Sequence, residues 1–297
     1  MTAILSTPTT LDALAIADLA VAVLHDEADL TPKPGLVDGR GPGTHADMSL
    51  AMLHDSADAL HLAFAECAWA ATTLDLGAEL RALIGVIGRV GEQHMLTATG
   101  GVNTHRGALW ALGLLSAGAA RGGGIVEITD FAGRLASIPD PALVASDRMS
   151  HGATARHRFG AHGALGEAQS GFPHVTSHAL PTLRRARCAG ADDDTAHLDA
   201  LLALIAHLDD TCILHRGGRR GLRAVQSAAA AVISAGGLST PGGQEAFATL
   251  DGLCAERGLS PGGSGDLLSA TMFLDALDGT PVAPLALDEG NSATCKP

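Results

Sequence analysis

Thr99-Gly-Gly-Val-Asn-Thr-His-Arg-Gly-Ala-Leu-Trp-Ala-Leu-Gly-Leu-Leu-Ser-Ala-Gly-Ala-Ala120 decides how the chain folds. From Ala108 to Ala120 it is an unbroken run of apolar and small residues, the longest in the sequence. The run is shorter than the roughly 20 residues that span a bilayer, and it includes Gly and Ser. It reads as a helix buried inside a helical protein. The polar start, Thr99 to Gly107, puts Asn103, Thr104, His105 and Arg106 where that helix begins. Amide N–H groups at a helix start attract anions, and Arg106 adds charge-assisted donors there. An Asn cap alone explains Asn103 but leaves His105 and Arg106 unaccounted for.

The composition agrees with tight helix packing. Of 297 residues, 46% are hydrophobic but only 3% are aromatic and none is tyrosine, so the core must be built from Ala, Leu and Val. Helical periodicity then places further helices on both sides of the central run. One begins near Thr10 as N-cap, uses Leu11, Leu14, Leu19 and Ala22, and ends before Thr31-Pro32. Others are expected at 48–74 (one helix or two), 78–95, 103–119, 128–137, 160–170, 177–189, 197–215, 222–235, 243–257 and 264–277, joined by glycine-rich connections such as Gly217-Gly218 and Gly242-Gly243. Ile125 to Ile128 alone has the look of a short strand. The expected fold class is all-α: a single large helical domain of ten or more helices over 1–278, followed by a loosely ordered tail, 279–297. The stretch 139–152 is the best internal boundary but is too short to separate two domains.

Bulk charge excludes some functions. A formal charge of −13 argues against a nucleic-acid partner, because binding a polyanion depends on neutralising phosphates. Two local basic knots remain, Arg184, Arg185 and Arg187, and Arg216, Arg219, Arg220 and Arg223. No secretory signal and no membrane span are expected. Five scattered cysteines without metal-ligand spacing suit a reducing cytoplasm. Oligomeric state is left open, a homo-oligomer included.

A second polar cluster lies in Glu27-Ala-Asp-Leu-Thr-Pro-Lys-Pro-Gly-Leu-Val-Asp38 with Thr44-His45-Ala46-Asp47-Met48. Pro32 and Pro34 hold Lys33 on an extended path, a stiffly mounted point charge suited to phosphate. Gly35 permits close backbone approach by a ligand. Clustered with Lys33, the groups Glu27, Asp38, His45 and Asp47 exceed what a plain helix connector requires, and such clusters mark titrating sites. A third element, Ser260-Pro-Gly-Gly-Ser-Gly-Asp266, is a glycine turn opening a helix, with Gly263, Ser264 and Asp266 placed to cradle phosphate. Asp209-Asp210-Thr211 falls near the end of the helix expected at 197–215, an unfavourable end for acids, and so invites a cation such as Mg²⁺ shared with substrate phosphates.

Taken in order, Thr-Pro-Lys-Pro-Gly-Leu-Val-Asp (31–38), Thr-His-Ala-Asp-Met (44–48), Gly-Val-Asn-Thr-His-Arg-Gly (101–107), Asp-Thr (210–211) and Ser-Pro-Gly-Gly-Ser-Gly-Asp-Leu-Leu (260–268) resemble the triphosphoribosyl-dephospho-coenzyme A synthase family. The resemblance runs from the first helix to about Leu277. It departs from the family pattern at Arg106, where Lys is expected, and at Cys212, where Asn is expected. It implies an all-helical enzyme that moves the 5-triphosphoribosyl group of ATP to the 2′-hydroxyl of 3′-dephospho-CoA and releases adenine. The product is the precursor of the prosthetic group of an acyl carrier protein in malonate decarboxylase or citrate lyase. Leu214-His-Arg-Gly-Gly218 leans toward the malonate decarboxylase branch.

That chemistry distributes the candidates. Glu27, Asp38 or Asp47 would take the hydroxyl proton or support an oxocarbenium-like carbon, and His45 would protonate adenine. Lys33, Gly35, Asn103, His105, Arg106, Gly263, Ser264 and Asp266 would bind substrate, with Mg²⁺ on Asp209 and Asp210. Two rivals belong to other classes: a Mg²⁺-dependent helical hydrolase of an ADP-ribose-like nucleotide, and a non-catalytic helical partner of a decarboxylase complex.

Overall fold

The computed structural model describes residues 12–144 and 159–279, and those residues form one all-helical domain. In chain order they give α1 (Ala13–Asp29), α2 (Leu50–Ala59), α3 (His61–Thr73), α4 (Ala78–Ala98), α5 (Arg106–Ala119), α6 (Ile125–Ser137), the single turn α7 (Pro141–Val144) and α8 (Gly163–Gln169). A π-helical turn (Val175–Ala179) then leads into α9 (Leu180–Cys188), α10 (Asp193–His207), α11 (Thr211–Ser234), α12 (Pro241–Arg257) and α13 (Gly262–Gly279). The tail from 280, the Thr10 cap and most of the 139–152 boundary lie outside the described residues. No described helix is long and apolar enough to cross a membrane.

The apolar run is the centre of the molecule. Every residue from Ala111 to Ala119 of α5 is buried, and α5 packs on α3, α4, α6 and α13. Small residues set these close approaches. A Cβ at Gly118 would stand 2.6 Å from the Ile128 carbonyl oxygen of α6, and one at Gly91 would stand 2.8 Å from the Ala63 methyl. Aromatic bulk is scarce, so helix backbones close up instead of being spaced by large side chains.

Two local expectations are corrected. Ile125 to Ile128 is the first turn of α6, where the Glu127 carboxylate accepts from the Gly124 N–H at 3.0 Å; β-branched composition gave a strand look that end capping overrides. The helix expected at 197–215 is two helices broken at Leu208–Asp210, because Asp210 caps α11 by accepting from the Cys212 and Ile213 N–H groups at 2.9 and 3.3 Å. Gly217-Gly218 interrupts α11 as expected: Gly218 (φ 59°, ψ −166°) is non-helical, so α11 is two helical pieces joined across a kink.

Candidate active site

The C-terminal end of α1 and the loop after it form the first wall. Lys33 is not a free cation: it is 1% exposed, and its Nζ donates to Glu27 Oε1 at 3.0 Å, to the Ala28 carbonyl at 3.3 Å and to the Glu27 carbonyl. It satisfies carbonyls that α1 leaves open at its end and holds the buried Glu27 carboxylate by an ion pair. The stiff Pro-Lys-Pro mount is present, but it aims inward. Gly35 is likewise demanded by protein, since its φ is 70° and a Cβ there would lie 2.2 Å from the Leu259 carbonyl oxygen. The close approach is the third loop's backbone.

Asp38 is 2% exposed and accepts from the Lys33 N–H at 2.8 Å, the Arg40 N–H at 2.8 Å and the Arg40 guanidinium at 2.8 Å. Burial pushes its carboxyl up, but the Arg40 side chain and the two N–H donors outweigh that and hold it below the ordinary carboxylate range. Arg40 continues to Asp251 at 2.7 Å, stapling the loop to α12. Asp38 is therefore the loop's internal anchor and not its base. Asp38→Asn should lower stability by about 1–3 kcal/mol, by loosening a buried network, and leave adenine release within a few fold of wild type. Its sign with pH follows from the lowered value: the carboxylate's contribution is complete above the unfolded value of about 4 and is lost as pH falls through the folded one. Thermal melts should show the wild-type advantage shrinking below about pH 4.

His45 bridges the first and third loops. Its ring makes a 2.8 Å hydrogen bond with the buried Ser260 hydroxyl through Nε2 and accepts from Arg216 at 3.2 Å through Nδ1. Burial and then the Arg216 charge lower its pKa, which favours the neutral ring. Asp47 is exposed on the same loop.

The second loop enters at the start of α5. His105 is buried, its Nδ1 bonded to Ser56 Oγ at 2.8 Å, with Nε2 unpartnered among the described residues. Burial, with Lys33 nearby, drops its pKa to about 3, so it is a neutral core imidazole and not a phosphate clamp. Asn103 and Arg106 are exposed; Asn103 Oδ1 accepts from the Arg106 N–H at 3.3 Å, and the Arg106 side chain pairs with Glu92.

The third loop brings the acids together. Asp210 is 1% exposed and accepts from the Ser264 N–H at 2.8 Å and the Ser264 hydroxyl at 3.0 Å, besides its two capping bonds. Four protein donors saturate it, and no group of three or more His, Cys, Asp or Glu is placed to hold a metal among the described residues. The Asp209–Asp210 pair does not fit a resident Mg²⁺; the supposed misplaced acid is a helix cap. Ser264 sits in the first turn of α13, turned toward Asp210, with Gly263 packed close to the same carboxylate.

Asp266 differs from its neighbours. Its carboxyl lies against Gly107 of α5, where a Cβ would be 1.9 Å from Oδ2, and it takes an N–H from Ala108. A Cβ on the adjacent Gly265 would be 3.3 Å from Glu27 Oε1. Burial, followed by the Asp210 and Glu27 charges, pushes Asp266 up to about 8. The three sequence motifs thus converge on one place, with an ion-paired Glu27 beside an Asp266 that is protonated near neutrality. The sequence places Asp266 among the substrate-binding residues and Ser260 in the third motif; Arg40, Ser56 and Asp251 carry no local signal.

Comparison with known proteins gives one answer. The profile of the family described as ATP:dephospho-CoA triphosphoribosyl transferase matches residues 13–283. A relative from Azotobacter vinelandii is 48% identical over 276 residues, covering 91% of this chain and 94% of its own; one from Pseudomonas putida is 50% identical, covering 88% and 93%. Both bear the name "Probable 2-(5''-triphosphoribosyl)-3'-dephosphocoenzyme-A synthase". The crystal structure of an Archaeoglobus fulgidus chain described as a triphosphoribosyl-dephospho-coA synthase superposes with TM-score 0.51 at 18% identity, covering 73% of this chain and 98% of that one, which supports the fold. By the family match and these identities, the chain belongs to the ATP:dephospho-CoA triphosphoribosyl transferase family and is a transferase.

Proposed function

We propose that this chain joins the 5-triphosphoribosyl group of ATP to the 2′-hydroxyl of 3′-dephospho-CoA, releasing adenine, and serves the malonate decarboxylase branch, toward which Leu214 to Gly218 leans. The observation that carries the mechanism is the pairing of Glu27, ion-paired with Lys33, with Asp266, raised to about 8 beside it. A carboxyl held protonated near neutrality beside an ion-paired carboxylate makes an acid and base pair. Asp266 donates a proton to adenine as the ribosyl C1″–N9 bond breaks. Glu27 stabilises positive charge at C1″ and takes the proton of the attacking hydroxyl as the C1″–O2′ bond forms. The proton returns from Glu27 to its neighbour Asp266, so the cycle closes.

Arg106 and Asn103, exposed at the start of α5, face the triphosphate in this reading. Mg²⁺ enters as the counter-ion of substrate ATP, neutralising phosphate charge, in keeping with its preference for phosphates plus few protein ligands. A cytoplasmic setting supplies both substrates.

Incubation with ATP, Mg²⁺ and dephospho-CoA, followed by chromatography, should show adenine and a triphosphoribosylated dephospho-CoA in equal amounts. Free ribose triphosphate in place of the coupled product would indicate a hydrolase. Failure to bind either nucleotide would indicate a non-catalytic partner.

A further inference from the structure

Beyond the acid pair, α11 carries a cluster of arginines that the mechanism leaves unused. It begins at the site, since Asp210 caps it, and Arg216 lies six residues on, about 9 Å along the axis. Arg216 reaches back to the first loop through Thr44 O at 3.1 Å and His45 Nδ1 at 3.2 Å. Past the Gly218 kink, Arg219, Arg220 and Arg223 follow at the three- and four-residue spacing that makes helix neighbours, all exposed. Arg219 donates to the Phe159 carbonyl, while Arg220 and Arg223 have no acidic partner among the described residues. Most arginines elsewhere, such as Arg40, Arg89 and Arg187, lie against aspartates. In a chain of net charge −13, three neighbouring guanidinium groups without an acid are a concentration of cations without an internal counter-charge.

The reaction requires two polyanions at once, and one cation set near the α5 start cannot neutralise both. The attacked 2′-hydroxyl and the 5′-diphosphate of dephospho-CoA sit on the same ribose, so the diphosphate leaves the reacting centre from the far edge of the attacked sugar. We propose that the exposed arginines on the two sides of the Gly218 break, Arg216 before it and Arg219, Arg220 and Arg223 after it, form the binding rail for the diphosphate of dephospho-CoA. Arg216 anchors the rail to the first loop, and the later arginines follow the substrate outward. The inference rests on the transferase reading above for its choice of ligand.

The test is the double variant Arg220→Ala/Arg223→Ala, with Arg220→Lys/Arg223→Lys as a charge-preserving control, measured by steady-state adenine release and by calorimetric titration with dephospho-CoA alone. We expect the Michaelis constant for dephospho-CoA to rise about 10-fold or more, that for ATP to stay within about 2-fold, the melting temperature to hold, and the Lys control to recover part of the loss. Wild-type affinity for dephospho-CoA should also fall with added salt more steeply than the variant's. An unchanged constant for dephospho-CoA, or a rise confined to ATP, overturns the proposal. If wild type releases no adenine, the transferase reading fails; titration still decides the rail, supported if wild type binds dephospho-CoA and the double variant does not, and overturned if both or neither bind.

Discussion

Asp266→Asn should lose adenine release by about 100-fold or more while its melting temperature holds or rises. The activity loss follows from the amide having no proton to give when the leaving base needs one. Stability moves the other way because the folded-state value, about 8, lies above the unfolded one. A carboxyl raised on folding is least costly when protonated, so stability falls as pH climbs between about 4 and 8, where the unfolded chain has already released this proton. The amide removes that dependence, keeps the size that fits beside Gly107, and still accepts from the Ala108 N–H. Function and stability therefore part company at this position, as expected where a site stores unfavourable electrostatics. In wild type, turnover should decline as pH rises through about 8, since the protonated form is the active one, and the residual rate of the variant should not show that limb. A folded variant with near wild-type turnover removes Asp266 from the chemistry.

Helical content and the convergence of three motifs were readable because both have local causes. Periodicity marks an amphipathic helix, and a glycine-led polar turn marks where one starts. Roles within the site were less readable, because they depend on which way a side chain turns. Lys33 between two prolines carries the same local signal whether it faces a phosphate or the end of α1; only the position of Glu27 six residues earlier decides it. Asp209-Asp210 read as acids at a helix end because apolar spacing continues from α10 into α11, which hides a one-turn break. Arg40 drew no notice, since its second partner Asp251 is 211 positions away. His105 looked ionic in a polar run, yet burial settles its charge, and burial is a property of the fold.

Lys33 supplies the sharpest contrast between what its sequence context suggests and what its surroundings demand. If it were an exposed phosphate clamp, removing it would weaken nucleotide binding and leave the fold alone, because exposed charges contribute little to folding. At 1% exposure with three acceptors on Nζ, the opposite is expected. Lys33→Met keeps the apolar stem but strands the Glu27 carboxylate in a buried site, and breaking one side of such a pair costs about 3–5 kcal/mol. For a domain of this size that is a fall in melting temperature on the order of 10 °C. Adding Glu27→Leu removes the stranded charge, and a buried pair replaced by apolar groups of similar volume is often neutral, so the double variant should recover most of the lost stability. It should not recover adenine release, since in the proposed mechanism Glu27 supports the ribosyl carbon. The pair of results separates scaffold from chemistry: Lys33 acts on the fold and on Glu27's placement, and Glu27 acts on substrate. A Lys33→Met protein that melts like wild type but binds ATP weakly would return the lysine to the phosphates and leave Glu27 without its positioning partner.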